Sequence, residues 1–385
     1  MLRLADLIAV LDEWFDPRWA EPWDAVGLVC GDPAERVERI LLAVDAVPET
    51  VDQALSMDAQ LLLTHHPLLL TGVHGIAAND PKGALVHRMV RGRVAHFVAH
   101  TNADIANPGV SDALAALLGL TGTVSLETAF DDAFAKLVVF VPSADAQRII
   151  VALGAAGAGS LGDYDSCAWL VEGTGTFRPR AGASPAVGVV GEVACVAESR
   201  IEMVVPHPVR EDVIRALRAT HPYEEPAFDL IAQVPVPSRR GTGRIGDLHA
   251  PVALREFAHR VARTLPRTVW GVRAAGDPEQ MVRTVAVCGG SGGSLAETAR
   301  RRGADVLVTS DLKHHTTLET VTERGCPGMA LIDVAHWSSE APWLDALAGR
   351  MRDHFGTTVE VHVSRLVTDP WTVHAPSPES SSIST

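Results

Sequence analysis

Two stretches decide the fold. One is Asp58-Ala-Gln-Leu-Leu-Leu-Thr64-His65-His66-Pro67, continued by Val94-Ala-His-Phe-Val-Ala-His100-Thr-Asn-Ala-Asp104. The other is Gly303-Ala-Asp-Val-Leu-Val-Thr309-Ser310-Asp311, continued by Met329-Ala-Leu-Ile-Asp-Val-Ala-His336-Trp-Ser-Ser-Glu340. Each is a short apolar run closed by polar residues, then a helix-compatible segment, then a second apolar run ending Val-Ala-His-x-x-x-acid. Runs this short read as strands, and strands alternating with helices read as parallel strands joined by helical crossovers. The repetition predicts a duplicated α/β unit. In open α/β sheets, ligands collect at the carboxyl ends of strands. His65, His66, Asp104 and His336 fall there, with Glu340 about one turn further on.

Working outward, the middle of the chain changes character. It reads as strand (Lys136 to Val141), helix (Ala144 to Leu153), strands (Tyr164 to Val171 and Gly173 to Phe177), strand (Ile201 to Val205), helix (Val209 to Thr220) and strand (Ala227 to Val234). That order is β-α-β-β-α-β, a ferredoxin-like α+β module with one strand to spare. The fold class expected is therefore α/β, with two similar halves (1–125 and 241–374) forming a discontinuous core. An inserted ferredoxin-like domain spans 126–240, and the Ser- and Pro-rich tail, 375–385, is expected to be disordered.

Composition narrows the function classes. Lys plus Arg is 33 against 47 Asp plus Glu, a formal charge of −14, so nucleic acid is disfavoured as a partner. Arg300-Arg301-Arg302, the densest basic run, reads as a solvated helix end. No apolar run reaches the length of a membrane span. The N-terminal segment from Met1 to Phe15 reads as an amphipathic helix rather than a signal peptide. Cys30, Cys167, Cys195, Cys288 and Cys326 are scattered, without a C-x-x-C pair. They point to a reducing, cytoplasmic setting and away from thiolate zinc.

The candidate ligands are nitrogen and oxygen donors. His65-His66 precedes Pro67, which stops the strand and sends both imidazoles into a turn; a solvent-facing turn is the plain alternative. His336 and Glu340 are i and i+4 and share a face if the segment is helical. If the helix starts later, Ser338 or Ser339 caps it and Pro342 sits in its first turn. His100 and Asp104 repeat the same spacing. Such donors suit zinc, manganese or iron, and carboxylates can bridge two ions about 3.5–4 Å apart. Cys288-Gly-Gly-Ser-Gly-Gly-Ser294, between a strand (Val282 to Val287) and a helix (Leu295 to Arg302), is either an anion cradle or a tight turn. Asn102, Asp311, His314 and His315 (with Lys313 beside them) are candidate supporting or substrate-contacting residues.

Taken in order, these motifs resemble the dinuclear-metal family called Nif-three-like, or GTP cyclohydrolase I type 2 homologues. The resemblance rests on Trp23-Asp-Ala-Val-Gly-Leu28, Thr64-His-His-Pro67, His100-Thr-Asn-Ala-Asp104, Gly243-Arg-Ile-Gly246, the Gly289–Gly293 loop, Asp311-x-Lys313-His314-His315 and Ala335-His336-x-x-x-Glu340. It covers nearly the whole chain except the tail. His221-Pro-Tyr-Glu-Glu-Pro226 looks like a recurrent segment of the insert found in long members. Ala25 departs from the usual Asn and Ala335 from a frequent Gly, changes that bear on substrate fit. The resemblance implies two divalent ions per chain, with His66 and Asp104 on one, His65 and His336 on the other, and Glu340 bridging. It implies a supporting role for His100 and a toroidal homohexamer.

The functional expectation is a metal-dependent hydrolase acting on a small molecule, a nucleotide such as GTP or a phosphoester. The alternative is a non-catalytic metal-handling or regulatory protein whose inserted domain senses a ligand. A third reading has the metals acting only to hold a scaffold together.

Overall fold

The structure is a computed structural model describing residues 2–130, 134–322 and 328–375. The chain divides into two compact units, Met1–Ala129 with Arg239–Thr385, and Phe130–Ser238. The tail from 376 onward and Cys326 lie outside the described residues.

The larger unit holds a five-stranded and a six-stranded sheet built on one plan. In the first, Arg39–Ala43, Leu61–Thr64 and Ala95–Val98 run parallel, and Gly27–Cys30 pairs antiparallel with Ala95–Val98. In the second, Met281–Val287, Val306–Ser310 and Ala330–Val334 run parallel, and Val272–Ala275 pairs antiparallel with Ala330–Val334. Corresponding strands occur in the same chain order. The unbroken apolar runs follow from burial on both faces. Leu61 and Leu63 enter one core while Leu62 enters another across the sheet. Val306 and Val308 likewise oppose Leu307.

The halves exchange their ends. Helix His336–Phe355 packs Trp343, Leu344, Leu347 and Met351 into the core of the first sheet, and strand Glu360–Val363 then pairs in parallel with Arg39–Ala43. Conversely, helix Val110–Leu117 packs Leu114 and Ala115 into the core of the second sheet. Strand Thr121–Phe130 joins that sheet beside the long strand Pro237–Ala253. This exchange carries the start of helix His336–Phe355 to the strand ends of the first half.

The smaller unit is ferredoxin-like. Its strands are Phe134–Pro142, Ala168–Phe177, Ala194–Pro206 and Phe228–Ala232, and its helices are Ala146–Ala155 and Arg210–Thr220. Every strand pair is antiparallel, and Ala194–Pro206 and Phe134–Pro142 are central. The spare strand of the sequence reading does not exist: Tyr164 lies outside, and one strand, Ala168–Phe177, pairs without a break from Ala168↔Met203 to Phe177↔Ala194. An edge strand tolerates glycines that pack no side chain, so Gly173 and Gly175 do not break it.

Candidate metal centre

Strand Leu61–Thr64 stops before His65, although His65 and His66 still donate backbone hydrogen bonds to Ala43 and Val44. The two imidazoles turn toward each other with ring centroids 5.0 Å apart. His100 ends the next strand region and precedes the short helix Thr101–Ile105, which carries Asp104. From the other half, the helix begins at His336 itself, so Ser338 and Ser339 are not caps and Pro342 lies inside the helix. Ser338 bonds the Pro266 carbonyl instead, and Ser339 bonds its own helix's first turn at the His336 carbonyl.

Glu340 lies at the centre, with its side chain 3% exposed. Its Oε1 is 3.0 Å from His336 Nε2 and 3.5 Å from His65 Nε2, and its Oε2 is 3.1 Å from His66 Nε2. His65 Nε2 is 3.7 Å from Asp104 Oδ1. Donor atoms of His66, His336 and Glu340 form one group within 4.8 Å, and those of His65, His66 and His100 form another. His65 and His336 thus share Glu340 Oε1 while His66 faces Oε2, and Asp104 approaches from the side of His65. His100 stands at the edge of this cluster, next to His65 and His66.

Three buried atoms, His65 Nε2, Asp104 Oδ1 and Glu340 Oε2, have no hydrogen-bond partner. Buried polar atoms without partners are costly, and these converge on one place, so the donor set fits divalent cations. The far side of each imidazole is secured. His65 Nδ1 bonds the Ala99 carbonyl at 2.9 Å, His66 Nδ1 bonds Asp45 at 2.7 Å, His100 Nδ1 bonds Asp24 at 2.7 Å, and His336 Nδ1 bonds Asp311 at 2.6 Å. Such contacts fix ring orientation and turn Nε2 toward the site, as metal-binding histidines require.

Without a cation, protons balance the carboxylates. Burial alone would raise the Glu340 pKa, but His66, His65 and His336 hold it well below the usual carboxylate range. Burial opposes protonation of His66 and His336, yet Glu340 outweighs it, raising His66 well above its ordinary value and His336 to about 9. Both shifts favour the protonated imidazole, whose proton a bound cation must displace. Zinc binding at pH 7 should release protons, with affinity falling as pH falls. Titration calorimetry in buffers of different ionisation enthalpy reads this directly; identical heats in all buffers would contradict it.

The glycine loop closes the site from the second half. The Gly289, Gly290 and Gly292 amides donate to Ser111, Ser339 and Thr309 hydroxyls. They are occupied within the protein, so of the two sequence readings the structure takes the tight turn over the anion cradle. Gly290 has φ +66, and a Cβ there would lie 2.4 Å from Glu340 Oε1 and 3.1 Å from His336 Nε2. Gly290→Ala should thus lose bound metal while retaining a native far-UV spectrum, a result checked by metal analysis after gel filtration.

Among the other residues singled out, Asn102 is internal: it accepts from the His100 amide and donates to the Phe15 carbonyl. His314 and His315 begin the exposed helix His314–Val321 and do not line the site's cleft. Asp311 supports His336. Sequence reasoning assigned no role to Asp24 or Asp45, and none to Gly290 as the close neighbour of Glu340. Asp45 was within reach, because it follows strand Arg39–Ala43 and the strand-end rule applies to it as to His65. Asp24 stood inside a quoted motif, but only the fold brings it to His100 and Thr101.

The centre opens into a cleft of about 880 Å³, bordered by Trp23, Trp270, Trp371 and Asp369. The fold and site define an α/β protein with a His/Glu cluster that can hold metal. A family model described as Duf34/NIF3 (NGG1p interacting factor 3) matches residues 2–370, and the chain belongs to that family. A Mycobacterium tuberculosis relative, 51% identical over 96% of this chain and 97% of its own, is named GTP cyclohydrolase 1 type 2 homolog. A Bacillus subtilis relative with the same name is 37% identical over 86% of this chain and 88% of its own. Among solved structures, a Bacillus cereus protein related to NIF3 is 32% identical, with a TM-score of 0.69 over 97% of this chain and 99% of that one. A Staphylococcus aureus protein is 27% identical, with a TM-score of 0.79 over the same shares.

Proposed function

We propose that this chain is a metal-dependent hydrolase of a small molecule, with two divalent ions (zinc, manganese or iron) held by His65, His66, Asp104, His336 and Glu340. The observation that carries the proposal is the convergence of buried, unpartnered donor atoms around Glu340 at the floor of an open cleft. Ions held there supply Lewis acidity and lower the pKa of water for a hydrolytic displacement. Glu340 keeps both oxygens ionised and turned to histidines of both groups. His100, oriented by Asp24, presents Nε2 toward the cleft as a proton donor or acceptor for a reacting group. Trp23 and Trp371, both more than half exposed at the cleft, offer faces on which a planar ring stacks. The relatives' names make GTP the first substrate to try.

The test is metal-loaded protein assayed against GTP and a phosphoester panel beside His65→Ala and Glu340→Ala. Turnover that vanishes in both variants supports the proposal. Turnover that survives in both, or no turnover by fully loaded wild type, sinks it in favour of metal handling. A toroidal homohexamer and a cytoplasmic location belong to the same reading. Light scattering with and without chelator tests the ring. Among the described residues no helix is long and apolar enough to cross a membrane, and Cys30, Cys167, Cys195 and Cys288 are unpaired thiols.

A further inference from the structure

The ferredoxin-like unit contains a cavity of about 620 Å³, on the sheet face turned away from its helices. The helix-side face is filled by Leu137, Val139, Val141, Ile201 and Met203. The opposite face carries Phe140, Glu198 and Arg200 from the central strands, and at Gly173 and Gly175 the neighbouring strand contributes no side chain. The segment after Phe177 folds over this bare floor and is tied down where the Ser184 amide donates to Glu224 at 3.0 Å.

Glu198 is the feature that needs an explanation. Its residue is 8% exposed, yet it borders the cavity. Oε1 accepts the Tyr223 hydroxyl at 2.9 Å, and among the described residues no donor reaches Oε2. Arg200, the nearest cation along its strand, is drawn to Glu202 at 3.0 Å instead. Gly175 is required for this placement, because a Cβ there would meet Glu198 Oε2 at 1.9 Å. Around the carboxylate stand aromatic rings: Phe177 and Tyr223 pack edge-on 5.5 Å apart, and Phe140 lies on the same wall. Burial and the Glu198 hydrogen bond raise the Tyr223 pKa, so its hydroxyl stays a donor to the carboxylate.

A buried carboxylate with a spare oxygen, set among aromatic faces in a mostly apolar cavity, matches an organic ammonium ion with an apolar body. We propose that the inserted domain is a binding site for a small amphipathic amine, with Glu198 as counterion and Phe177 and Tyr223 as the aromatic walls. This site lies wholly within residues 140–227, and its occupancy does not depend on metal or on catalysis.

The test is titration calorimetry on the full-length, metal-loaded protein with 2-phenylethylamine and its neutral counterpart 2-phenylethanol. The amine should bind saturably and at least about tenfold more tightly than the alcohol. Glu198→Gln should bring the two close to parity. Gly173 offers a second variant: its backbone is outside the left-handed region, and a Cβ there has no neighbour nearer than 4.0 Å. Gly173→Leu therefore plugs the cavity without strain and should abolish amine binding with metal content and melting temperature unchanged. Equal affinity for amine and alcohol, no saturable amine binding, or amine binding that survives both substitutions would overturn the proposal.

Discussion

Glu340→Gln is expected to yield a folded protein that no longer retains its metals. The substitution keeps the volume of a side chain that is almost fully enclosed, so the packing of helix His336–Phe355 on the first sheet should survive. What disappears is the one negative charge lying within 3.0–3.5 Å of His336, His66 and His65. An amide also presents a donor NH₂ where two acceptor oxygens are needed. Loss of a supporting carboxylate typically weakens metal binding by roughly 10–100-fold, and loss of a direct, central ligand should exceed that. Metal analysis after dialysis measures it. The same variant should lower the raised histidine pKa values, because Glu340 is the largest influence raising them, ahead of Asp45 at His66 and Asp311 at His336. Histidine proton resonances in the apo variant should accordingly titrate at lower pH than in apo wild type. A variant that keeps a full metal complement would remove Glu340 from the centre.

Arg244→Met should be the most destabilising single change outside the site, costing about 3–5 kcal/mol. Arg244 is fully buried and makes a two-pronged pair with Asp112, Nε to Oδ1 at 2.7 Å and Nη2 to Oδ2 at 2.6 Å. Its remaining donors reach the Gly241, Gly243 and Ala106 carbonyls. Asp112 opens the helix Val110–Leu117 that crosses from the first half to the second sheet, so the pair fastens the exchanged helix. Methionine fills the volume but leaves Asp112 without its partner and three carbonyls without donors. A loss of this size corresponds to a fall in melting temperature of roughly 10 °C, readable by calorimetry. Pairing it with Asp112→Leu should restore part of the loss, since replacing both charges avoids an orphan. If the double variant is no more stable than Arg244→Met, the ion pair is not the reason Arg244 matters.

The readable parts of this protein are local ones. Leu61–Thr64 and Val306–Ser310 announce buried parallel strands because both faces are covered and no polar residue interrupts them. The i, i+4 spacing of His336 and Glu340 announces a shared helical face, and the duplicated strand-to-acid pattern announces equivalent positions in two halves. Local signals were less decisive where they had two meanings. The stretch from Tyr164 to Phe177 reads as two strands and is one, beginning at Ala168. The run Cys288–Ser294 has the glycines of an anion-binding loop, but the Gly289, Gly290 and Gly292 amides are taken by hydroxyls from three distant segments. His314 and His315 follow a strand end, yet their exposed helix carries them away from the cleft.

The amino-acid order by itself determined which residues end the strands, that they are imidazoles and carboxylates rather than thiols, and that the central segment forms a different module. Pattern and side-chain chemistry are properties of near neighbours along the chain, so they can be read there. The meeting of these residues was decided by tertiary structure. The two halves trade their last helix and strand, which places His336 and Glu340 against His65 and His66 across some 270 residues of sequence. The same exchange sets Asp24, Asp45 and Asp311 behind the imidazoles and Gly290 against Glu340. Each of these depends on contacts between segments far apart in the chain, where spacing carries no signal.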